Sequence, residues 1–193
     1  IKTFLDKSIG GAWELIFVND GSTDDTINNI SDLSETDPRI KIISYKNNRG
    51  RGYALRQGIS HAEGDYVLTM ESDLNWGVEI IRELYDAIRD SRYDLIVASP
   101  LCKGGGFLNV PAKRVFLSRW GNKVLSASVG GQVSSVSGMT RIYRRDCIQS
   151  LPLVSDDKEI HLEIISKSIS LGYNVSEIPA TLTWPEKEEQ KKS

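Results

Sequence analysis

The 193 residues are 39% hydrophobic and 26% charged, the balance of a soluble globular chain long enough to bury a core without staples. Twenty-four Lys and Arg against 26 Asp and Glu leave a net charge of −2, which gives nucleic acid no electrostatic case as the main partner. Cys102 and Cys147 form no CxxC pair, so a disulfide scaffold and a thiolate zinc site are disfavoured, and two reduced thiols of a cytoplasmic protein are expected.

The longest uncharged run, Val124–Thr140, has 17 residues, of which five are Ser and three Gly, and a spanning helix needs roughly 20 mainly apolar residues. The start, Ile1–Asp6, lacks the basic-then-apolar layout of a secretory leader. Residues 186–193 read as a solvated charged tail.

In chain order, short apolar runs alternate with helical ones. Strands are expected at Trp13–Asn19, Arg39–Tyr45, Asp65–Glu71 and Asp94–Ser99, each rich in Ile, Val and Leu and bounded by polar residues. Helices are expected between them at Thr23–Leu33, Arg51–His61 and Val78–Arg89. In the last, Ile80, Ile81, Leu84, Tyr85 and Ile88 share one face. This alternation predicts an α/β fold with a mainly parallel sheet flanked by helices. Beyond Ser99, Lys103-Gly104-Gly105-Gly106 reads as a flexible loop and Pro111 opens a helix to about Ser126. Strands follow at Gln132–Val136 and Thr140–Tyr143. A helix over Lys158–Leu171 stops at Gly172, and Tyr173–Ile178 closes as a strand. With no repeat and no linker, a single domain is expected.

Three segments fall at the C-terminal ends of expected parallel strands, where open α/β sheets bind ligands. In Phe17–Thr26 (FVNDGSTDDT), Asp20 places a carboxylate at the sheet edge that could accept bonds from a base or ribose. The competing role is helix capping by Ser22 or Thr23, with Asp24 and Asp25 suiting the dipole. In Asn48–Leu55, Gly50-Arg51-Gly52 looks like a dinucleotide fingerprint, but Leu55 stands at the third glycine position, which argues against nicotinamide or flavin. Two glycines and two arginines at a helix start still suit a phosphate. In Met70–Asn75, the extended spacing turns Glu71, Asp73 and Asn75 the same way, toward one hard cation. Magnesium or manganese takes one or two carboxylates and completes its shell with water and phosphate oxygens. The competing role there is a solvated turn. His61 reads as structural, and the absence of Gly-x-Ser-x-Gly disfavours a serine nucleophile.

Taken in order, FVNDGSTDDT, the run NNRGRGYALRQGISHAEGDYVLTMESDLN, KGGG, Pro111, Arg114, Ser118-Arg119, Asn122, SGMTRIYRR and the final HLEIISKSISLGYNVSEIPATLTW resemble the family 2 glycosyltransferases of GT-A (nucleotide-diphospho-sugar transferase) fold. Within that family they are most similar to the polyprenyl-phosphate enzymes such as the dolichyl-phosphate mannose synthases. The resemblance spans the chain and implies one GT-A domain over 1–185, with a nucleotide-sugar and metal half at 1–99 and an acceptor half at 100–185. Residues 1–9 resemble the helix that follows the family's first strand, so that strand is expected to be missing. The metal motif is Glu71-Ser72-Asp73 in place of Asp-x-Asp, Pro100 stands where the synthases carry an arginine, and Ser135-Val136-Ser137-Gly138 lacks the family's acid.

The resemblance implies inverting, metal-dependent transfer of a sugar from a nucleoside diphosphate to a dolichyl-type polyprenyl phosphate, in cell-envelope glycan synthesis. The implied site has Asp73 and Arg114 as catalytic residues. Asp20, Arg51, Ser72 and Asp73 are placed at the nucleotide sugar, Lys103, Arg114 and Ser118 at the acceptor, and Glu71, Asp73 and Asn75 at Mg2+ or Mn2+. Peripheral contact with the cytoplasmic face of a membrane goes with a lipid acceptor. A saccharide hydroxyl acceptor would need a base instead, for which Asp156 and Asp157, then His161 and Glu163, are candidates. A catalytically silent nucleotide-sugar-binding module and a nucleotidyltransferase are the remaining readings.

Overall fold

The computed structural model describes residues 1–9 and 13–184; the expected charged tail lies outside them. In chain order the elements are α1 (Lys2–Ser8), β1 (Leu15–Asp20), α2 (Thr26–Thr36), β2 (Ile40–Tyr45), α3 (Arg51–Ser60), β3 (Tyr66–Thr69), α4 (Glu79–Arg89) and β4 (Leu95–Ser99). They continue with β5 (Gly106–Leu108), α5 (Ala112–Ser128), β6 (Arg141–Arg144), α6 (Arg145–Ser150), α7 (Ile160–Ser170), β7 (Val175–Pro179) and β8 (Thr181–Thr183). The alternation read from periodicity is present, and the fold is α/β.

The chain clusters into two compact units, residues 1–67 with 144–164, and residues 68–143 with those from 165 onward. In the first, β1 and β2 pair in parallel with Leu15 opposite Ile40 and Asp20 opposite Tyr45, so both strands end at the same edge. Helix α3 packs on β1, and the Gln149 side-chain amide, on α6, donates to the Ile59 and Ala62 carbonyls. Helix α1, where family resemblance expects a helix, is held through Lys2, whose ammonium lies 2.6 Å from an Asp37 oxygen.

In the second unit the four-stranded sheet runs β3-β6-β4-β7, with β4 parallel to β7 and antiparallel to β6. The sheet is therefore mixed. Every residue of β4 is buried, and α4 covers it with Ile80, Ile81, Leu84 and Ile88, the stripe expected from spacing. Burying each such side chain contributes about 1.5–3 kcal/mol.

Three local expectations need correction. Helix α2 starts at Thr26, because Asp24 accepts both the Thr26 amide (3.1 Å) and its hydroxyl (2.5 Å), and neither Ser22 nor Thr23 caps it. Gln132–Val136 is not a strand. The Ser134 amide goes to Glu177 and the Val136 amide to Asn122, so side chains take the donors a neighbouring strand would have used. The glycine loop is not loose: Gly105 closes a turn on the Cys102 carbonyl, and Gly106 opens β5, which pairs in parallel with β8. Neither cysteine is in a disulfide.

Candidate active site

The second unit carries a cavity of ≈ 220 Å³ lined by Glu71, Asp73, Asn75 and Ser118 together with Trp76, Phe107, Asn122, Ser135 and Ser137. All three expected metal-motif side chains thus reach one concavity, joined by one expected acceptor residue. The volume is below the roughly 300–1,000 Å³ of sites that enclose a whole small ligand, so it suits one sugar or phosphate group.

Each wall has a local cause. Strand β3 ends at Thr69, whose hydroxyl donates to the Met139 carbonyl at 2.6 Å and ties the strand end to the segment opposite. Two residues on, Glu71 receives the hydroxyl of fully buried Thr140 at 2.8 Å. Next to Thr140, the Arg141 guanidinium is completely buried; burial pushes its pKa down, and Tyr143 and the Glu71 carboxylate act in the opposite sense. Asp73 is exposed and holds its own turn, accepting the Asn75 amide at 3.2 Å and its side-chain nitrogen at 2.6 Å. The Asn75 carbonyl in turn accepts the Thr183 amide at 2.8 Å.

Asn122 is the hub of the far wall. It is 3% exposed and its amide is fully used: the nitrogen donates to the Ser118 carbonyl and Ser137 hydroxyl, both 3.0 Å, and the oxygen accepts the Val136 and Ser137 amides. One side chain of α5 thereby pins residues 136–137 and presents Ser135 and Ser137 to the cavity. Thr140 and the two serines were not singled out as site residues from sequence, because only the fold brings them to Glu71.

The remaining expected residues lie elsewhere. Arg114 and Lys103 are exposed and do not line the cavity; the Arg114 guanidinium stacks over Trp184 at 4.5 Å. Ser72 is exposed between the two acids. Asp20 and Arg51 belong to the first unit. There the Asp20 carboxylate accepts the Arg49 amide at 2.7 Å and the Gly50 amide at 3.0 Å, so it anchors the glycine segment. Burial, and then the neighbouring Asp20, push the Tyr45 phenol up.

The glycines also have a packing reason. The Asp156 carbonyl accepts the Gly52 and Tyr53 amides at 2.9 and 3.2 Å, so the first donors of α3 face protein backbone. A Cβ on Gly52 would stand 2.5 Å from the Ser155 carbonyl oxygen, and one on Gly50, at φ +91°, 2.4 Å from that of Asp156. The expected phosphate cradle is thus partly filled by residues 155–157. The candidate bases are committed as well. The Asp156 carboxylate pairs with Arg56, and both Glu163 oxygens accept backbone amides, of Val154 and Ser155, at 2.9 Å. His161 is 4% exposed, and Asp157 lies 4.0 Å from Arg51.

A mixed α/β fold, two carboxylates one residue apart just beyond a strand end, and a serine-lined cavity around them find their match in sequence: the model of glycosyl transferase family 2 covers residues 1–151. The chain belongs to glycosyl transferase family 2. This family 2 glycosyltransferase is 31% identical over 150 residues to CsbB of Bacillus subtilis (strain 168), which is named as a glycosyltransferase, across 78% of the chain and 44% of CsbB. It is 37% identical over 93 residues to sll0501 of Synechocystis sp., an uncharacterized glycosyltransferase, across 48% of the chain and 29% of the relative. It therefore spans less than half the length of these relatives.

Among solved structures, glucosyl-3-phosphoglycerate synthase of Mycobacterium tuberculosis with UDP aligns at a TM-score of 0.66 and 18% identity, over 91% of this glycosyltransferase and 63% of the synthase. The same enzyme with Mn2+ and UDP-glucose aligns at 0.64 and 19%, over 92% and 63%. Likeness at this identity establishes the fold, GT-A, as the ordered motifs implied.

Proposed function

We propose that this glycosyltransferase moves a sugar, with inversion, from a nucleoside diphosphate to a polyprenyl phosphate at the cytoplasmic face of a membrane. Residues 1–99 would serve the donor and the metal, and 100–185 the acceptor. The observation that carries the reading is the cavity lining: among the described residues its titratable groups are Glu71 and Asp73. Both suit a hard divalent cation, being oxygen donors side by side, and the family-typical Mg2+ or Mn2+ would be held there with Asn75 at the rim. Bound there, the cation would offset charge on the departing diphosphate. Among the described residues no further carboxylate or imidazole lines the cavity to deprotonate a hydroxyl. A phosphate acceptor arrives already largely ionised and needs none.

The protein's own groups divide as follows. Asp20 keeps the glycine segment at the edge of β1, and Arg51, at the start of α3, offers a guanidinium to the donor. Ser72 would lie against the donor between the two metal-side acids. Ser118, on the inner side of α5, faces the acceptor phosphate. Arg114, four residues earlier, and Lys103 would clamp that phosphate when it enters, the guanidinium through two parallel bonds. Solved relatives bound to Mn2+, UDP-glucose and phosphoglyceric acid support a metal-assisted nucleotide-sugar donor and leave this acceptor assignment to experiment.

The test incubates the protein with a panel of nucleotide sugars, with and without Mn2+, against a short-chain polyprenyl phosphate and against free monosaccharides. Metal-dependent label transfer to the lipid phosphate is expected. Transfer to a saccharide hydroxyl alone would restore Asp156 or Asp157 as base, and binding without turnover would leave a silent nucleotide-sugar module.

A further inference from the structure

The segment that stands in place of the expected strand at Gln132–Val136 is braced from three sides. Glu177 on β7 accepts the Ser134 amide at 2.8 Å and its hydroxyl at 2.9 Å, and the Ser134 hydroxyl also meets that of Ser99 at 2.9 Å. Asn122 on α5 holds the Val136 and Ser137 amides, and the buried Arg141 guanidinium on β6 donates to the Val136 carbonyl. Side chains from three elements thus hold this backbone as a neighbouring strand would, and Ser135 and Ser137 are left lining the cavity.

Their hydroxyls are not spent within the protein. Ser135 is 4% exposed, yet among the described residues no hydrogen bond reaches its hydroxyl, and a buried polar group in that state calls for a partner from outside. Ser137 Oγ accepts from Asn122 Nδ2 at 3.0 Å, which leaves its own proton to donate. Around them the lining divides. Trp76, Phe107 and Leu182 supply an apolar part, and the charged groups among the described lining residues are the carboxylates Glu71 and Asp73. The cations offered to a phosphate, Lys103 and Arg114, do not line it.

We propose that Ser135 and Ser137 determine which donor sugar is taken, and that this sugar is an uncharged pyranose. A pyranose carries hydroxyls on its edge and C–H groups on its faces, the same division that the lining shows. Its hydroxyls would pair with the two serines and a C–H face would lie against Trp76 or Phe107. A sugar carboxylate or a phosphate group would meet no Lys or Arg among the described lining residues, and burying an unpaired charge is costly. The ≈ 220 Å³ leaves room for one ring. Glu177 does not line the cavity; it is a positioning residue, because it holds the amide next to Ser135. The inference deepens the donor half of the proposed function and rests on it, but requires nothing of the acceptor.

Calorimetry in Mn2+ compares UDP-, GDP-, dTDP- and ADP-glucose with the matching free nucleoside diphosphates and carries the best-bound pair forward. In the combined variant Ser135→Ala, Ser137→Ala the nucleotide sugar should bind at least tenfold more weakly, the scale of two lost hydrogen bonds. The free diphosphate should stay within twofold, at an unchanged melting temperature. Glu177→Leu should show the same split, and Glu177→Gln, which keeps a carbonyl for the Ser134 amide, should not. The uronic acid counterpart of the best-bound sugar should bind the parent at least tenfold more weakly. Equal weakening of nucleotide sugar and free diphosphate, or no weakening, would overturn the role of the serines. A uronic acid bound as tightly as the neutral sugar would overturn the sugar class. A protein that binds none of the diphosphates would overturn the donor reading and this inference with it. Failure to glycosylate a polyprenyl phosphate, with the split intact, would keep the inference and overturn the acceptor reading alone.

Discussion

The Thr140 hydroxyl donates to Glu71 Oε2 at 2.8 Å, across 69 residues of sequence. Thr140 is fully buried, so the bond fixes one oxygen of a cavity-lining carboxylate and leaves the other for a ligand. Groups that orient a metal-binding carboxylate typically contribute 10–100-fold in affinity. Thr140→Val keeps the shape and removes the donor. It should weaken Mn2+ binding about tenfold by titration calorimetry and lower stability by about 1 kcal/mol, while Thr140→Ser should retain both. Unchanged Mn2+ affinity in Thr140→Val would take Glu71 out of the cation site.

Asp73 is exposed and, among the described residues, its hydrogen bonds stay within its own turn, to Asn75, so substituting it should not disturb the core. Asp73→Asn is expected to reduce metal-dependent turnover by about 100-fold or more, on the scale of losing a group that stabilises transition-state charge, at an unchanged melting temperature. Glu71→Gln should cost less turnover but more stability, because its partner Thr140 is buried. Kinetics beside thermal melts of the two variants separate these effects; a fully active Asp73→Asn would remove the metal assignment.

Glycine to alanine inside a helix ordinarily stabilises by up to about 1 kcal/mol. At Gly52 the sign should reverse, since the new Cβ would meet backbone atoms of Ser155, Asp156 and Asp157 at 2.5–2.8 Å, and backbone cannot swing aside. Gly52→Ala should destabilise by roughly 1–3 kcal/mol, the scale of overpacking. Gly121→Ala on α5, with nothing within 4 Å, should stabilise. Urea denaturation of the pair measures both signs, and a neutral Gly52→Ala would mean that residues 155–157 do not press on α3.

Acid sensitivity should trace to Asp37. Hydrogen bonds from Arg39 and then Lys2 hold its carboxyl well below the ordinary 3.8. A depressed folded-state value means stability that is present above the unfolded value and lost as pH falls through the folded one. Melting temperature should therefore drop below about pH 4 more steeply in the parent than in Asp37→Asn, whose curve should be flatter and start lower. Parallel curves would assign the acid transition to other carboxylates.

What could be read in advance was whatever repeats locally. The stripe Ile80, Ile81, Leu84 and Ile88 is periodic, and it is buried as expected. Strands β1, β2 and β4 are runs of aliphatic residues, and their bounds shift by at most two residues. Strands β5 and β8, at three residues each, are too short to leave a pattern. The strand expected at Gln132–Val136 is absent because the Asn122 and Glu177 side chains replace a strand partner. Glu71, Asp73 and Asn75 were legible as chemistry, and Ser118 through the family resemblance. Thr140 was not, since nothing near it in sequence marks a hydroxyl that must face an acid. The two glycines of the Gly-x-Gly segment looked like a ligand cradle because the backbone pressing on them, residues 155–157, comes from far along the chain.

That separation has a consequence during synthesis. The family match ends at residue 151, yet the carbonyl that satisfies the first amides of α3 belongs to Asp156, and the unit containing α3 is completed only by residues 144–164. At roughly 5–20 residues per second on the ribosome, α3 waits on the order of 5–20 s with its leading donors facing water. The intervening residues supply most of the other unit, which is itself completed only by strands β7 and β8 later still. A chain stopped at 151 would hold every residue of the family signature and still leave that helix start unsatisfied.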